Sequence, residues 1–125
     1  MKLFNLSILA ILSLTSSSVN ATCYATGNDG DKNIVMNALA NLCTTGQIAG
    51  EFNAGTAKHF CLPAGKSYHY DVAIFNTKSG PNFLYPLQCR AWVGGEAVNC
   101  LKGGWSSYSE AGFRVDVDPN PGSCQ

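Results

Sequence analysis

Six cysteines constrain this chain of 125 residues more than any other feature. An even number of cysteines in so short a chain is typical of a disulfide framework, provided that the chain is exported. A metal site is the alternative, but the sequence has no Cys-x-x-Cys pair and no histidine at ligand spacing. We therefore predict three disulfides and neither a metal nor a cofactor. The cysteines concerned are Cys23, Cys43, Cys61, Cys89, Cys100 and Cys124.

The spacing leaves the pairing of these cysteines open, because six cysteines allow fifteen connectivities. We take Cys23–Cys61, Cys43–Cys100 and Cys89–Cys124 as the expected pairing. A disulfide that closes a loop of some tens of residues contributes roughly 3–4 kcal/mol in the chain-entropy view. The total stability of a small domain is about 5–15 kcal/mol. The disulfides therefore decide whether the chain folds.

The first 21 residues have the features of a secretory signal peptide. Lys2 provides a positive charge near the N-terminus, and an apolar run follows over residues 3–14. Val19-Asn20-Ala21 then offers a small-residue cleavage site before Thr22. The apolar run is too short for a membrane span; an amphipathic helix of the folded domain is the alternative. We expect a secreted, extracellular protein that does not insert into membranes. Its single domain would cover residues 22–125.

The charge balance excludes one large class of partner. Eight basic and eight acidic residues give a formal net charge of zero, and only 13% of the residues are charged. A nucleic-acid-binding domain needs a basic excess to neutralise phosphates. We therefore expect no nucleic acid among the partners.

The hydrophobic pattern predicts an α+β domain. A first helix is expected after Asp29 or Asp31 and ends at Gly46, and strands are expected over residues 58–62, 67–76 and 112–117. Pro86 suits the start of a second helix. That helix would bury a stripe of Leu87, Ala91, Val98 and Leu101 and would be weakened or broken at Gly94-Gly95. Segregated helices and strands favour an antiparallel sheet of about four strands with one or two helices packed on it.

Catalytic residues are few. A small secreted ribonuclease would need a carboxylate, a histidine and an arginine around one phosphate, and the chain offers Glu51, His59, His69 and Arg114. These residues are better explained as ordinary solvent-facing strand residues. Two-carboxylate glycoside hydrolysis is less suited to so small a domain. We predict that the protein is not an enzyme.

A binding surface is the remaining expectation. Trp105 and Tyr108 lie in a glycine-flanked segment, which we interpret as a loop, and Asp118 and Asn120 lie in a proline-rich segment, which we interpret as a rigid turn. Aromatic rings stack on the apolar faces of sugars, while polar groups bond the hydroxyls. We predict ligand-binding roles for Trp105, Tyr108, Arg114, Asp118 and Asn120. The alternative for Trp105 is packing on a small core, and core packing is the expectation for Trp92.

The order of several motifs resembles the family of small secreted fungal glycan-binding proteins typified by an ink-cap mushroom lectin. The motifs that carry the resemblance span nearly the whole predicted domain: Cys23-Tyr24-Ala25-Thr26-Gly27, Gly50-Glu51-Phe52-Asn53-Ala54-Gly55, Glu96-Ala97-Val98-Asn99-Cys100, Phe113-Arg114 and Asp118-Pro119-Asn120-Pro121-Gly122-Ser123-Cys124. The resemblance implies one disulfide-stapled module of helix and antiparallel sheet that binds glycans without cleaving them. The second helix and the strand before Asp118 depart from the family's pattern.

These observations lead to one expectation and two alternatives. We expect a secreted lectin-like protein of fungal type, acting in defence or host interaction, whose partners are glycans or glycoproteins of a cell surface. A homodimer is included among the expected partners, because two shallow sites bind with higher avidity than one. The first alternative is a small cysteine-rich effector or toxin that acts as a virulence factor on host or competitor cells. The second is a ribonuclease-like protein.

Overall fold

The computed structural model describes residues 19–125. The predicted signal peptide therefore lies outside the described residues, apart from Val19, Asn20 and Ala21. The elements follow the order β1 (Val19–Cys23), α1 (Lys32–Leu42), β2 (Gly50–Phe52), β3 (Ala57–Pro63), β4 (Tyr68–Asn76), β5 (Asn82–Leu84), α2 (Pro86–Asn99), β6 (Gly104–Tyr108) and β7 (Phe113–Pro121). The α+β class is confirmed.

The strands form one large and one small antiparallel sheet. The large sheet has five strands in the order β1-β6-β7-β4-β3, and β2 pairs with β5 in a second sheet. The sequence predicted about four strands. The extra strands come from short segments whose alternation is too brief to be recognised.

The first helix begins where its capping residue predicts. The Asp31 side chain accepts a hydrogen bond of 2.9 Å from the backbone N–H of Asn33, which satisfies one free donor at the helix start. Val35, Leu39 and Leu42 are buried on one side of the helix. The helix predicted after Asp31 is therefore confirmed.

The second helix begins at Pro86 as predicted, but the predicted buried stripe is wrong. Leu87 and Leu101 are 77% and 63% exposed, and Val98 is 49% exposed. The buried residues of α2 are Cys89, Val93, Gly94, Glu96 and Ala97. The disulfide of Cys89 and the contacts of Glu96 orient the helix, and the apolar pattern alone does not show them.

The helix is continuous through Gly94-Gly95, where a kink or break was predicted. A Cβ on Gly94 would lie 3.1 Å from Leu39 Cδ1 and 3.3 Å from Met36 Sδ. The missing side chain therefore lets α1 approach α2 closely, and this contact supports the helix where glycine weakens it.

Two segments predicted as a loop and a turn are strands. Residues 104–108 form β6, and β7 continues to Pro121. Beyond Val117, β7 pairs only with β4, because the partner of Val117 is Gly104, the first residue of β6. Pro119 and Pro121 therefore lie where no β6 strand requires an N–H, and this position permits prolines in a strand.

The core lies between the helices and one face of the large sheet, which we call the inner face. Tyr70, Val72 and Ile74 of β4 and Val115 and Val117 of β7 are buried there. The strand predicted over residues 67–76 is confirmed as β4, and its odd-numbered residues His69 and Asp71 point to the opposite face.

All six cysteines are paired, but none of the three predicted pairs forms. The disulfides are Cys23–Cys100, Cys43–Cys89 and Cys61–Cys124. Folding brings β1 to the end of α2, the end of α1 to the first turn of α2, and the C-terminal segment to β3. The Cα atoms are then 5.2, 5.6 and 5.8 Å apart, within disulfide geometry. Three disulfides fit a protein of an oxidising, extracellular compartment.

Residues 19–125 contain no helix that has both the length and the apolar character needed to cross a membrane.

Candidate functional site

The face of the large sheet opposite the helices, which we call the outer face, collects polar and aromatic side chains from five segments. Strand alternation and register place them side by side. The outer face comprises Tyr24, His59, His69, Asp71, Phe75, Trp105, Arg114, Asp116, Asp118 and Asn120.

Four of the five predicted ligand residues meet on this face. Trp105 is directly opposite Asp116 of β7, and Arg114, Asp116, Asp118 and Asn120 follow one another along the same side of β7. Each of these four β7 residues is partly exposed, whereas the residues between them are buried up to Pro119. The β strands therefore hold these side chains in a fixed row.

Tyr108 does not join them. Its ring lies on the inner face, stacked on Trp92 of α2 with centroids 4.0 Å apart and planes 13° apart. Trp92 also lies 6.3 Å from Phe113, so its expected core packing is confirmed. The predicted loop that contains Trp105 and Tyr108 is a strand, and residues three positions apart along a strand lie on opposite faces of the sheet.

Trp105 and Arg114 form a stacked pair. The Arg114 guanidinium carbon is 4.5 Å from the centroid of the Trp105 ring and 6.0 Å from that of Phe75. Asp116 fixes the guanidinium from the side, with Nε–Oδ1 and Nη2–Oδ2 distances of 2.8 and 3.3 Å. The Tyr24 hydroxyl donates to the same carboxylate at 3.4 Å. Arg114 is therefore held against the indole ring by ion pairing and by cation–π attraction.

Next to this pair, two aspartates face each other across β4 and β7. Asp71 and Asp118 are register partners. The Asn120 amide nitrogen donates to Asp71 Oδ2 at 2.7 Å and to Asp118 Oδ2 at 3.2 Å. Burial raises the pKa of Asp118, Asn120 opposes this rise, and the nearby charge of Asp71 adds to it. The result is a prearranged set of hydrogen-bond acceptors beside the aromatic pair.

His69 closes this end of the outer face. Its Nδ1 lies 2.8 Å from the carbonyl oxygen of Gly122 and its Nε2 lies 3.1 Å from Asp71 Oδ2. Both partners only accept hydrogen bonds, so both ring nitrogens donate only in the imidazolium form. The hydrogen bond to Gly122 raises the pKa of His69, and Asp71 raises it further. Beyond His69, a cavity of about 510 Å³ is lined by Asp71, Gly122, Ser123 and Gln125 among others.

A titration should reveal this bonding directly. We expect the His69 imidazole in the folded protein to titrate above the unfolded value of about 6.5. A raised folded pKa stabilises the protein below the unfolded pKa, and this contribution is lost as the pH rises through the folded pKa. NMR of the ring protons, compared with the protein in urea, measures both values.

The variant His69→Gln serves as the control for that titration. It should lack the part of the stability that declines through this pH window, while the remaining pH dependence persists. A His69 pKa at or below its value in urea would contradict the bonding described here.

The residues considered for ribonuclease chemistry do not converge. The β4 partner of His59 is Ala73, which lies four positions along that strand from His69, a separation of about 13 Å. Glu51 lies in the two-stranded sheet, and Arg114 is paired with Asp116. The only cluster of metal-ligand types in the described part of the chain is Cys61, His69 and Asp71. Because Cys61 is bonded to Cys124, it offers no thiolate.

Sequence reasoning missed Tyr24, Asp71, Phe75 and Asp116 as members of the outer face. The polar positions of β4 were visible from alternation, but the register that places them beside β7 was not.

A scan of the chain against protein-family models finds no match, and a search of curated proteins finds no significant one.

Proposed function

We propose that the protein binds glycans on the outer face and does not cleave them. The observation that carries this proposal is the junction of an aromatic–guanidinium pair, Trp105 and Arg114, with the acceptor set of Asp71, Asp118 and Asn120. A sugar ring presents an apolar face and a border of hydroxyl groups. A site for it therefore needs a ring next to fixed polar groups.

Each part of the junction has a role in this proposal. The part of the Trp105 ring not covered by Arg114 contacts the apolar face of one sugar. Hydroxyl groups of that sugar or its neighbour donate to the carboxylates of Asp71 and Asp118, and Arg114 donates to a ring or hydroxyl oxygen. The strands fix these groups before binding, so little conformational entropy is lost. The surface is open, which suits a chain of sugars better than a single small molecule.

The geometry also supports a binding role over a catalytic one. Both nitrogens of His69 already face acceptors, so this ring is poorly placed to remove a proton from a substrate. Asp71 and Asp118 share a hydrogen-bond donor, which positions both as acceptors for hydroxyl groups. RNA incubated with the purified protein should therefore remain intact.

The proposal includes export. Residues 1–21 would act as a signal peptide cleaved after Ala21, and the three disulfides would form in the oxidising compartment that the chain enters. A glycan-binding protein in that location meets cell surfaces of hosts or competitors. Dimerisation would raise its avidity without new contacts to the glycan.

A glycan array probed with the oxidised protein tests the proposal. We expect a defined set of glycans to bind, and binding to fall when Asp118→Ala and Asn120→Ala remove two of the three residues of the acceptor set. The exposed α2 variant Leu87→Ala is the matched control and should bind like the parent, because Leu87 lies far from the outer face on the helix side. No binding to any glycan would overturn the proposal and favour the effector or toxin alternative.

A further inference from the structure

The chain contains a buried carboxyl group that lacks a cation. Glu96 of α2 is only 6% exposed. Its Oε1 accepts a hydrogen bond from the Ser106 hydroxyl, and its Oε2 lies 3.9 Å from Cys100 Sγ. None of the ion pairs within residues 19–125 involves it. Burial raises the pKa of Glu96 to about 7, with the charge of Asp116 adding to the rise.

This carboxyl group lines a cavity of about 260 Å³ between α2 and the β1 edge of the sheet. The other walls include Ser106 and Tyr108 of β6 and Ala21 and Thr22 of β1. A Cβ on Gly104 would lie 2.9 Å from Glu96 Oε2 and 2.6 Å from the Thr22 carbonyl oxygen. The carboxylate and the backbone of Thr22 are therefore close neighbours. Tyr108 of β6 shares the cavity with Glu96, and the charge of Asp116 acts on Glu96 from the outer face of the sheet; neither group supplies a positive charge.

The predicted signal-peptide cleavage site lies in the wall of this cavity. Hydrolysis of the Ala21–Thr22 peptide bond adds one water molecule, leaves a carboxylate on Ala21 and releases an amine on Thr22. An α-amino group has a pKa of about 7.7–8.0 and therefore takes up a proton at neutral pH. Cleavage also removes Ala21, which is the register partner of Ser106 and so lies beside the residue that bonds Glu96.

We propose that leader removal completes the fold, because the new α-ammonium group of Thr22 enters this cavity and forms an ion pair with Glu96. The inference rests on the proposed export but is independent of glycan binding. The ammonium group supplies the cation that the Glu96 carboxylate lacks, and a buried carboxylate without a partner is costly to the fold. Cys23, the next residue, is bonded to Cys100 and pairs with Gly104, so the amine is held near the carboxylate after cleavage.

Two measurements test the proposal, the first on the protein secreted by a eukaryotic host. Mass spectrometry of its N-terminal peptide should identify Thr22 as the first residue. In the second, the chain that starts at Thr22 is compared with the same chain carrying Gly-Ser before Thr22, which moves the amine away. We expect the extension to lower the folding equilibrium constant about tenfold at pH 7. The same extension should have no effect in the Glu96→Gln background.

The pKa of the Thr22 amine provides a readout that a purely structural role of Glu96 would not change. Measured by ¹⁵N NMR, it should lie above the range of 7.7–8.0 in the parent. A pKa within or below that range overturns the ion pair, even if Glu96→Gln does not fold. An equal loss of stability on extension in both backgrounds overturns it too. Retention of residues 1–21 by the secreted protein would refute cleavage after Ala21 and, with it, the ion pair.

Discussion

Reduction of the three disulfides is expected to unfold the protein at 25 °C. The crosslinks close loops with sequence separations of 77, 46 and 63 residues. Each one restricts the unfolded chain by about 4 kcal/mol in the chain-entropy model. The loops overlap, so the contributions are not additive, but together they match the total stability of about 5–15 kcal/mol expected for such a domain.

The three disulfides are not equivalent, and two of them form a matched comparison. Cys43 and Cys89 are fully buried between α1 and α2, whereas Cys61 of β3 and Cys124 near the C-terminus are partly exposed. In the chain-entropy model, the longer loop makes Cys61–Cys124 more stabilising than Cys43–Cys89 by only about 0.3 kcal/mol. Removing two buried sulfur atoms adds a cavity term of about 1–2 kcal/mol. We therefore expect the Cys43→Ala, Cys89→Ala variant to be the less stable of the two double variants.

Denaturant unfolding of the parent and of both double variants measures these differences, and free-thiol titration verifies the oxidised state of the parent. A reduced parent that keeps its near-UV circular dichroism would show that the core folds without the crosslinks. A larger loss of stability in the Cys61→Ala, Cys124→Ala variant would show that burial of the sulfur atoms does not decide the difference between the two disulfides.

Trp105→Ala is expected to weaken glycan binding by about 30-fold or more, because an aromatic hot-spot residue contributes about 2 kcal/mol or more to affinity. The same change should lower the melting temperature by only a few degrees. The Arg114 contact of a partly exposed tryptophan is worth about 0.5–1 kcal/mol, and Asp116 still holds the guanidinium. Binding is measured by calorimetry with the glycan that gives the strongest array signal.

Tyr108→Leu provides the control on the opposite face. It breaks the stack with Trp92 and should lower the melting temperature, yet leave the affinity for the glycan unchanged. If Tyr108→Leu abolished binding while Trp105→Ala did not, the inner-face cavity beside Glu96 would become the better candidate. If Trp105→Ala unfolded the protein, Trp105 would belong to the core.

The sequence predicts those parts of the fold that depend on local signals. The Asp31 cap, Pro86 at the start of α2 and the alternation of β4 are each contained in a few neighbouring residues. The polar residues of the outer face could be recognised individually for the same reason. Trp105, Arg114, Asp118 and Asn120 come together as predicted, but as members of strands and not of loops.

The features that sequence reasoning missed depend on long-range pairing. The disulfide partners, the exposed side of α2 and the position of Asp71 beside Asp118 are set by strand register and helix packing. Local hydrophobic patterns do not contain this information. Gly94 illustrates the difference, because a residue that weakens an isolated helix is used here for contact between two helices.

The most direct test of glycan binding on the outer face is an NMR titration of ¹⁵N-labelled protein with the strongest array glycan. The protein has two tryptophans, Trp92 on the inner side of the large sheet and Trp105 on the outer face, and each gives a separate indole N–H signal. We predict that the Trp105 signal and the amides of residues 116–120 shift, while the Trp92 signal does not. Shifts confined to Trp92 and α2, or no shift at saturating glycan, would contradict the assignment of the site.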